Sequence, residues 1–174
     1  IQLNVIERVG QDGSAVSASR VRAALKNHSL SEAAALVVDS TVPFLISRLA
    51  TCALQDELDT TPKPGLVDRD NCGAHKDMDH TLMTRSIQAL HPFFNRFAEM
   101  AWSGTMPNMD SLREVGREAE RAMLKTTNGV NTHRGALFCM GLAIAATAFL
   151  AKSEGVENIS GRKLSDVIAS LASH

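Results

Sequence analysis

The chain has 174 residues, of which 44% are hydrophobic and 21% charged, and its 18 basic and 19 acidic side chains leave a formal net charge of −1. This composition is typical of a soluble globular protein of one or two small domains, and the neutral balance argues against a surface built to bind nucleic-acid phosphates. Aromatic residues make up only 4%, so Ala, Leu, Val, Ile and seven Met must fill the core. These residues favour helices, which disfavours an all-β fold.

The cysteines and the first residues bear on the compartment. Cys52, Cys72 and Cys139 are an odd number without a CxxC spacing, which disfavours a disulfide framework and a cysteine-based zinc site. Ile1 to Asn4 lack the basic and apolar regions of a signal peptide, and no apolar run reaches the roughly 18 residues of a membrane span. We therefore expect a cytoplasmic protein that is neither secreted nor membrane-embedded.

The first 45 residues differ from the rest of the chain. Ile1, Leu3 and Val5 alternate as in a strand, a glycine-containing break follows, and Ser17 can cap a helix that runs through Leu25. A lone strand cannot satisfy its backbone hydrogen bonds, so we expect this strand to pair with a segment upstream.

Helical spacing of apolar residues dominates the remainder. We expect Pro43 to lie in the first turn of its helix, Pro92 to kink or split the second helix, and Asp110 to cap the third. The fourth helix is apolar almost all round and too short to span a bilayer comfortably, which predicts the central buried helix of a bundle. The expected helices are Val42–Leu58, Asp79–Trp102, Asp110–Leu124, Ala136–Ala151 and Arg162–Ala172. The sequence therefore predicts an all-α bundle preceded by a short strand–helix remnant.

The first of two polar loops runs from Glu57 to Asp79 and carries cations beside carboxylates. Cations suit phosphate oxygens, whereas carboxylates suit a divalent metal or a proton transfer. One alternative is a solvated loop whose charges pair with one another. Another is a transition-metal site, which is weakly indicated because only two of its pairs have helical ligand spacing. The charged residues are Lys63, Asp68, Arg69, His75, Lys76 and Asp77, and the metal-site candidates are His75, Asp77, Asp79 and His80.

The second polar loop, Gly129 to Gly135, directly precedes the apolar helix. Asn131 or Thr132 can cap that helix, and the N–H groups of its first turn, with His133 and Arg134, would form an anion-binding corner. The alternative is an ordinary capped helix with a surface arginine.

The two loops together resemble a known family. The residues at 62–68, PKPGLVD, at 71–78, NCGAHKDM, and at 129–135, GVNTHRG, are similar to the motifs of the triphosphoribosyl-dephospho-coenzyme A synthase family. Glu57 also falls where that family has a glutamate, whereas Arg134 stands where the family has lysine. The resemblance runs from about Ile46 to the end of the chain and implies an all-helical transferase.

The implied reaction joins ATP to 3′-dephospho-coenzyme A, whose ribose hydroxyl displaces adenine from the ATP ribose. Breaking an N-glycosidic bond requires a carboxylate to stabilise an oxocarbenium-like state and a base for the hydroxyl. Mg²⁺ is implied by the triphosphate. The catalytic candidates are Glu57, Asp68, His75 and Asp77, and Asp68 and Asp77 are also the metal candidates. The substrate-binding candidates are Lys63, Gly65, Asn71, Lys76, Asn131, Thr132, His133 and Arg134.

The resemblance also implies a domain arrangement. Residues 1–45, with VSASRVR at 16–22, resemble the C-terminal tail of citrate lyase ligase, and residues 46–174 resemble the front half of the synthase. We therefore expect a fragment of a ligase–synthase fusion that serves the acyl carrier protein of citrate lyase or malonate decarboxylase, with citrate lyase biogenesis proteins as partners. The rival hypothesis is a non-catalytic helical module that binds a nucleotide or a partner protein.

Overall fold

The structure, a computed structural model, describes residues 8–9, 15–16, 23 and 30–172, with side chains described over 41–172. The chain divides into two compact units, Ile1–Leu45 and Ile46–His174. In the first unit, β1 (Arg8–Val9) pairs antiparallel with β2 (Ala15–Val16). The strand expected at Ile1 to Val5 lies outside the described residues, as does most of the helix expected from Ser17.

Helices are the only regular secondary structure described from residue 30 to residue 172, which confirms the all-α fold. A 3₁₀ turn, Val156–Asn158, lies between the last two. The helices described are α1 (Leu30–Asp59), α2 (His80–Trp102), α3 (Met109–Thr126), α4 (Arg134–Glu154) and α5 (Gly161–Ala172).

The start of α1 differs from the expectation. The helix begins at Leu30, so Pro43 lies in its interior and the expected placement in the first turn is wrong. The residues at 30–36, LSEAAAL, include three alanines and two leucines, which have high helix propensity and extend the helix upstream of Pro43. Further along α1, Ala50 and Leu58 are buried, whereas Leu49 is 70% exposed.

One expectation about helix ends also needs correction. Asn108, and not Asp110, caps α3, because its side chain accepts a hydrogen bond from the Ser111 N–H and leaves Asp110 in the first turn. Pro92 does not split α2, which is one helix from His80 to Trp102, and a kink there stays a prediction. Asp79 is the N-cap of α2, and its carboxylate accepts a hydrogen bond from the Leu82 N–H at 2.7 Å.

The core of the second unit lies between α2, α3 and α4, with α5 packed on α4. Phe94 and Leu90 of α2 are fully buried there, together with Met123 of α3 and Ala145 of α4. With 21 residues, α4 is longer than expected and is long and apolar enough to cross a membrane, but half of its apolar window is buried inside the bundle. Burial to this extent is typical of a core helix.

The buried polar side chains point to the functional region. Among the residues whose side chains are described, four of the five buried polar ones belong to the two polar loops or contact them. They are Asp68, Ser86, Thr127 and His133, and the fifth is Ser47. Because buried polar groups need hydrogen-bond partners, these four mark where the loops are organised from within.

Candidate functional site

Asp68 organises the first loop. Its side chain is 2% exposed, and one carboxylate oxygen accepts hydrogen bonds from the backbone N–H groups of Asp70 and Asn71, both at 2.9 Å. The other oxygen accepts the Lys63 backbone N–H at 2.9 Å. These hydrogen bonds hold the pKa of Asp68 below its usual range, and the bond from Lys63 contributes most. Asp68 is therefore ionised, and both of its carboxylate oxygens accept hydrogen bonds from backbone N–H groups of the loop.

The rest of the loop is tied down by glycines and by one apolar anchor. Gly65 and Gly73 have positive φ angles of 80° and 56°, and the Ala74 N–H donates to the Gly65 carbonyl. The peptide bond between Thr61 and Pro62 is cis. Val67 is 4% exposed and packs beside Leu58 and Ile87, so the middle of the loop rests on α1 and α2.

A charged cluster closes the loop at the end of α1. The Asp59 carboxylate accepts hydrogen bonds from the Arg69 guanidinium and from His80, each at 2.7 Å. The pKa of Asp59 is held well below its usual range, most strongly by the hydrogen bond from Arg69 and next by that from His80. Asp59 therefore binds the middle of the loop through Arg69 and the start of α2 through His80.

Lys63 and Glu57 form the accessible charged pair of this region. The Lys63 ammonium donates to the Glu57 carboxylate at 2.9 Å and to the Glu57 carbonyl at 2.7 Å. The Lys63 side chain is 11% exposed, whereas that of Glu57 is 56% exposed. Asp68 therefore positions the lysine through its backbone, while Glu57 presents a carboxylate to solvent.

The second loop is organised by a buried threonine. The Thr127 hydroxyl lies 2.9 Å from the Met123 carbonyl and 2.5 Å from the Val130 carbonyl, and residues Asn128 and Gly129 take positive φ angles. The Asn131 side chain accepts a hydrogen bond from the Arg134 N–H at 3.2 Å, which satisfies a free donor at the start of α4. Asn131 thus takes the capping role expected for Asn131 or Thr132.

Thr132 and His133 point instead toward α2. The Thr132 hydroxyl donates to the Ser86 hydroxyl at 2.7 Å, and the Ser86 oxygen lies 2.9 Å from His133 Nδ1. Ser86 is fully buried and His133 is 6% exposed. Burial lowers the pKa of His133 to about 4, against an opposing contribution from the negative charge of Glu57. His133 is therefore neutral at pH 7, so it can hydrogen-bond to a substrate but does not add a cation for a triphosphate.

The ring of His133 is held at Nδ1. The Ser86 hydroxyl accepts the proton of Thr132 and lies 2.9 Å from His133 Nδ1, and a hydroxyl can donate to that nitrogen or accept from it. The negative charge of Glu57 acts on His133. The first loop packs against Ile87 of α2 and the second loop bonds to the adjacent Ser86, so both loops lie on the same part of α2.

Arg134 contacts α3 and not α2. Its guanidinium pairs with Glu120 of α3 at 3.0 Å, and its side chain is 67% exposed. Successive residues of one motif thus serve two surfaces, because His133 turns into the bundle and Arg134 lies over α3. The structure pairs Lys63 and Arg134 with different carboxylates on different helices.

The other candidates of the first loop are more exposed. His75 and Asp77 lie 3.9 Å apart, with side chains 39% and 63% exposed, and Lys76 is exposed. Asn71 accepts the Gly73 N–H and helps to shape the loop. Within residues 41–172, no group of three or more His, Cys, Asp or Glu side chains is placed to hold a metal ion.

The metal alternatives can be judged from these contacts. In the alternative transition-metal set, Asp79 caps α2 and His80 binds Asp59, and the four residues do not form a cluster of three or more ligands in the described part of the chain. Asp68 spends both oxygens on backbone N–H groups, and with Asp77 it does not form a preformed metal cage in the described part of the chain. Mg²⁺ thus stays a prediction from the chemistry of a triphosphate.

Two residues of this region were not predicted from the sequence. Ser86 lies on the apolar face of α2 with Met83, Ile87 and Leu90, and a polar residue on such a face was a usable signal. Glu120 had no such signal, because glutamates are common on the outer face of an amphipathic helix such as α3.

Comparison with known proteins identifies the family. The family model described as ATP:dephospho-CoA triphosphoribosyl transferase matches residues 43–173. The chain belongs to this family. A second model, described as citrate lyase ligase C-terminal domain, matches residues 1–45. Both matches agree with the resemblances drawn from the motifs. No solved structure matches the chain significantly.

Curated relatives of the triphosphoribosyl transferase family match the same region. The 2-(5''-triphosphoribosyl)-3'-dephosphocoenzyme-A synthase of Klebsiella pneumoniae is 40% identical over 141 residues, which are 79% of this chain and 48% of that protein. A protein of Pseudomonas putida named "Probable 2-(5''-triphosphoribosyl)-3'-dephosphocoenzyme-A synthase" is 51% identical over 106 residues, 59% of this chain and 38% of that protein. The chain thus spans less than half the length of these relatives.

Proposed function

We propose that this protein acts in the synthesis of 2′-(5″-triphosphoribosyl)-3′-dephospho-CoA from ATP and 3′-dephospho-CoA. The C–O bond forms between the dephospho-CoA ribose hydroxyl and the ATP ribose, the C–N bond to adenine breaks, and the hydroxyl proton leaves with a base. One observation carries the proposal: the family motifs fall on two loops that contact adjacent residues of α2, the first at Ile87 and the second at Ser86. The product is the precursor of the prosthetic group of the acyl carrier protein.

Glu57 is the carboxylate best suited to the reacting atoms. Asp68 is buried and uses both oxygens within its loop, and Asp77 lies beside His75 on the exposed side of the same loop. Glu57 is exposed, pairs with the Lys63 ammonium, and acts electrostatically on the neutral His133 ring. We assign to it the stabilisation of positive charge on the ATP ribose or the removal of the hydroxyl proton.

Lys63 and His133 have complementary roles beside Glu57. Lys63 supplies an ammonium for phosphate oxygens, and its stem is held in place by the backbone bond to Asp68. His133 supplies a neutral ring, held at Nδ1 by Ser86, for a hydrogen bond to an uncharged group on a ribose or a base. When bound with the triphosphate, Mg²⁺ would neutralise phosphate charge.

The setting follows from the two family matches. Residues 1–45 match a ligase domain and residues 43–173 match a transferase, which supports a ligase–synthase fusion serving the citrate lyase acyl carrier protein. Citrate lyase biogenesis proteins are then its partners. The burial of α4 within the bundle fits our proposal of a cytoplasmic location.

The test is the release of adenine. The full chain is incubated with Mg²⁺, ATP and dephospho-CoA, and free adenine is measured by chromatography. Adenine release that requires both substrates and is lost in Glu57→Gln supports the proposal. A Glu114→Gln variant on the exposed side of α3 is the matched control. ATP binding without adenine release would instead support the non-catalytic nucleotide-binding module.

A further inference from the structure

A groove of about 240 Å³ lies between α3 and α4, on the side of the bundle to which Arg134 turns. Its floor is apolar and includes Phe97, Leu112 and Leu142, and Phe138 at its rim is 57% exposed. Pockets for whole drug-sized ligands usually measure roughly 300–1,000 Å³. The groove therefore has room for part of a substrate.

A glycine in the middle of α3 leaves this groove open. Gly116 costs the helix about 1 kcal/mol relative to alanine. No packing neighbour in the described structure requires it, since a Cβ built there has no atom within 4 Å and would project into open space. Gly141 on the facing helix differs, because a Cβ there would meet the Phe97 ring at 3.1 Å. The unfilled space before Gly116 is thus not explained by helix packing.

The charges on the groove rim are mainly positive. Arg113, Arg117 and Arg134 line it with one acid, Glu120. Arg134 pairs with Glu120 and Arg113 with Asp110, whereas Arg117 has no hydrogen bond or ion pair within residues 41–172. A free guanidinium beside an apolar floor suits a ligand with phosphate at one end and an uncharged chain at the other.

The two ends of the groove differ in charge. Arg134 begins α4 next to the motif loop, and Glu120 and Arg117 lie opposite on α3, so the charged end is nearest the site. Phe138, Leu142 and Leu112 continue the groove toward the other end of both helices. In dephospho-CoA the reacting ribose, the diphosphate and the pantetheine arm follow in that order. A ribose at Glu57 would send the diphosphate toward the arginines and the arm along the groove.

We propose that this groove binds the pantetheine arm of dephospho-CoA, with the diphosphate on Arg117 and Arg134. This inference rests on the proposed function for the identity of the ligand. It adds a substrate subsite outside the two motif loops, formed by α3 and the first turns of α4.

The test fills the groove and measures binding separately from turnover. Gly116→Leu should lower the affinity for dephospho-CoA and for 4′-phosphopantetheine at least about tenfold in calorimetry, and leave the affinity for ATP and ADP within about twofold. The variant should fold, because leucine is a better helix former than glycine and enters open space. Gly161→Leu, at a helical glycine with equal space outside the groove, is the matched control and should change none of these affinities.

The charged rim is tested in the same way. Arg117→Gln should weaken dephospho-CoA binding by about tenfold, while Arg121→Gln, one turn along α3 and outside the groove, should not. Unchanged dephospho-CoA affinity in Gly116→Leu would overturn the subsite even if the parent releases adenine. If Gly116→Leu lowered the affinity for ADP alone, the proposed orientation of dephospho-CoA in the groove would be wrong. A changed oligomeric state with unchanged affinity would show a protein interface instead.

Discussion

At the scale of single residues, burial separates groups that hold the site from groups that can react. Asp68 and Glu57 are both carboxylates of the motif region, yet Asp68 is 2% exposed and bonded to three backbone N–H groups, whereas the Glu57 side chain is 56% exposed. Sequence spacing could nominate both but could not rank them, because the ranking depends on where the loop turns its oxygens.

Asp68→Asn should loosen the first loop. An asparagine keeps one acceptor oxygen but turns an NH₂ group toward N–H donors, so at least one backbone bond is lost. We expect about tenfold faster amide exchange at Lys63, Asp70 or Asn71, a lower melting temperature, and weaker ATP binding. Hydrogen exchange followed by NMR measures this, with Asp77→Asn as the exposed control. Unchanged exchange rates at all three amides would contradict the role given to Asp68.

His133 should make stability depend on pH. Its folded pKa is lowered to about 4 from 6.5, so between these values the unfolded chain binds a proton that the folded chain excludes. Stability is then full above about pH 6.5 and falls as the pH drops toward 4, by up to about 3 kcal/mol. Urea unfolding from pH 7.5 to 4.5 measures this loss. His133→Gln should remove that part of the dependence, and the exposed control His75→Gln should keep it.

At the scale of elements, periodicity predicted the helices well and their ends less well. Every helix expected after residue 41 is present, since an apolar stripe must be buried whatever surrounds it. The Pro43 and Asp110 expectations failed because each used a local rule in isolation. Helix-forming residues upstream of Pro43 extend α1 to Leu30, and Asn108 offers a cap two residues before Asp110. The loops were located by their motifs, but their internal hydrogen bonds depend on contacts that spacing does not reveal.

Alanine should be tolerated better at one of the two positive-φ glycines of the first loop than at the other. Gly65 and Gly73 both have positive φ, but a Cβ on Gly65 has no atom within 4 Å, whereas one on Gly73 would lie 2.4 Å from the Gly65 backbone. Gly65→Ala should therefore cost only the backbone strain of a left-handed residue, about 1–2 kcal/mol. Gly73→Ala must also displace backbone and should cost more. Urea midpoints of the two variants measure the difference, and equal losses would show that the loop relaxes freely.

At the scale of the whole molecule, the two motif loops lie on the same part of α2, but their cations pair with acids on different helices. Glu57 pairs with Lys63, and Ser86 of α2 contacts His133. Arg134 is the first residue of α4, and its side chain pairs with Glu120 of α3. The sequence shows that His133 and Arg134 are neighbours in the chain, but only the structure shows that one is buried against α2 and the other pairs with α3.

This division predicts how two cations share the substrates. If Lys63 and Arg134 held one triphosphate, their removal would not be additive for ATP binding. Because they pair with Glu57 and Glu120 on different helices, we expect Lys63→Met to weaken ATP binding by roughly 1.5–3 kcal/mol and Arg134→Ala to have little effect. The double variant should then match the sum of the single losses within about 0.5 kcal/mol. Calorimetry with Mg²⁺ on all four proteins measures this, with Lys125→Ala as a surface control. If Arg134→Ala weakened ATP as much as Lys63→Met and the double variant were no worse than either, both cations would hold one triphosphate, and the division between loop site and groove would be wrong.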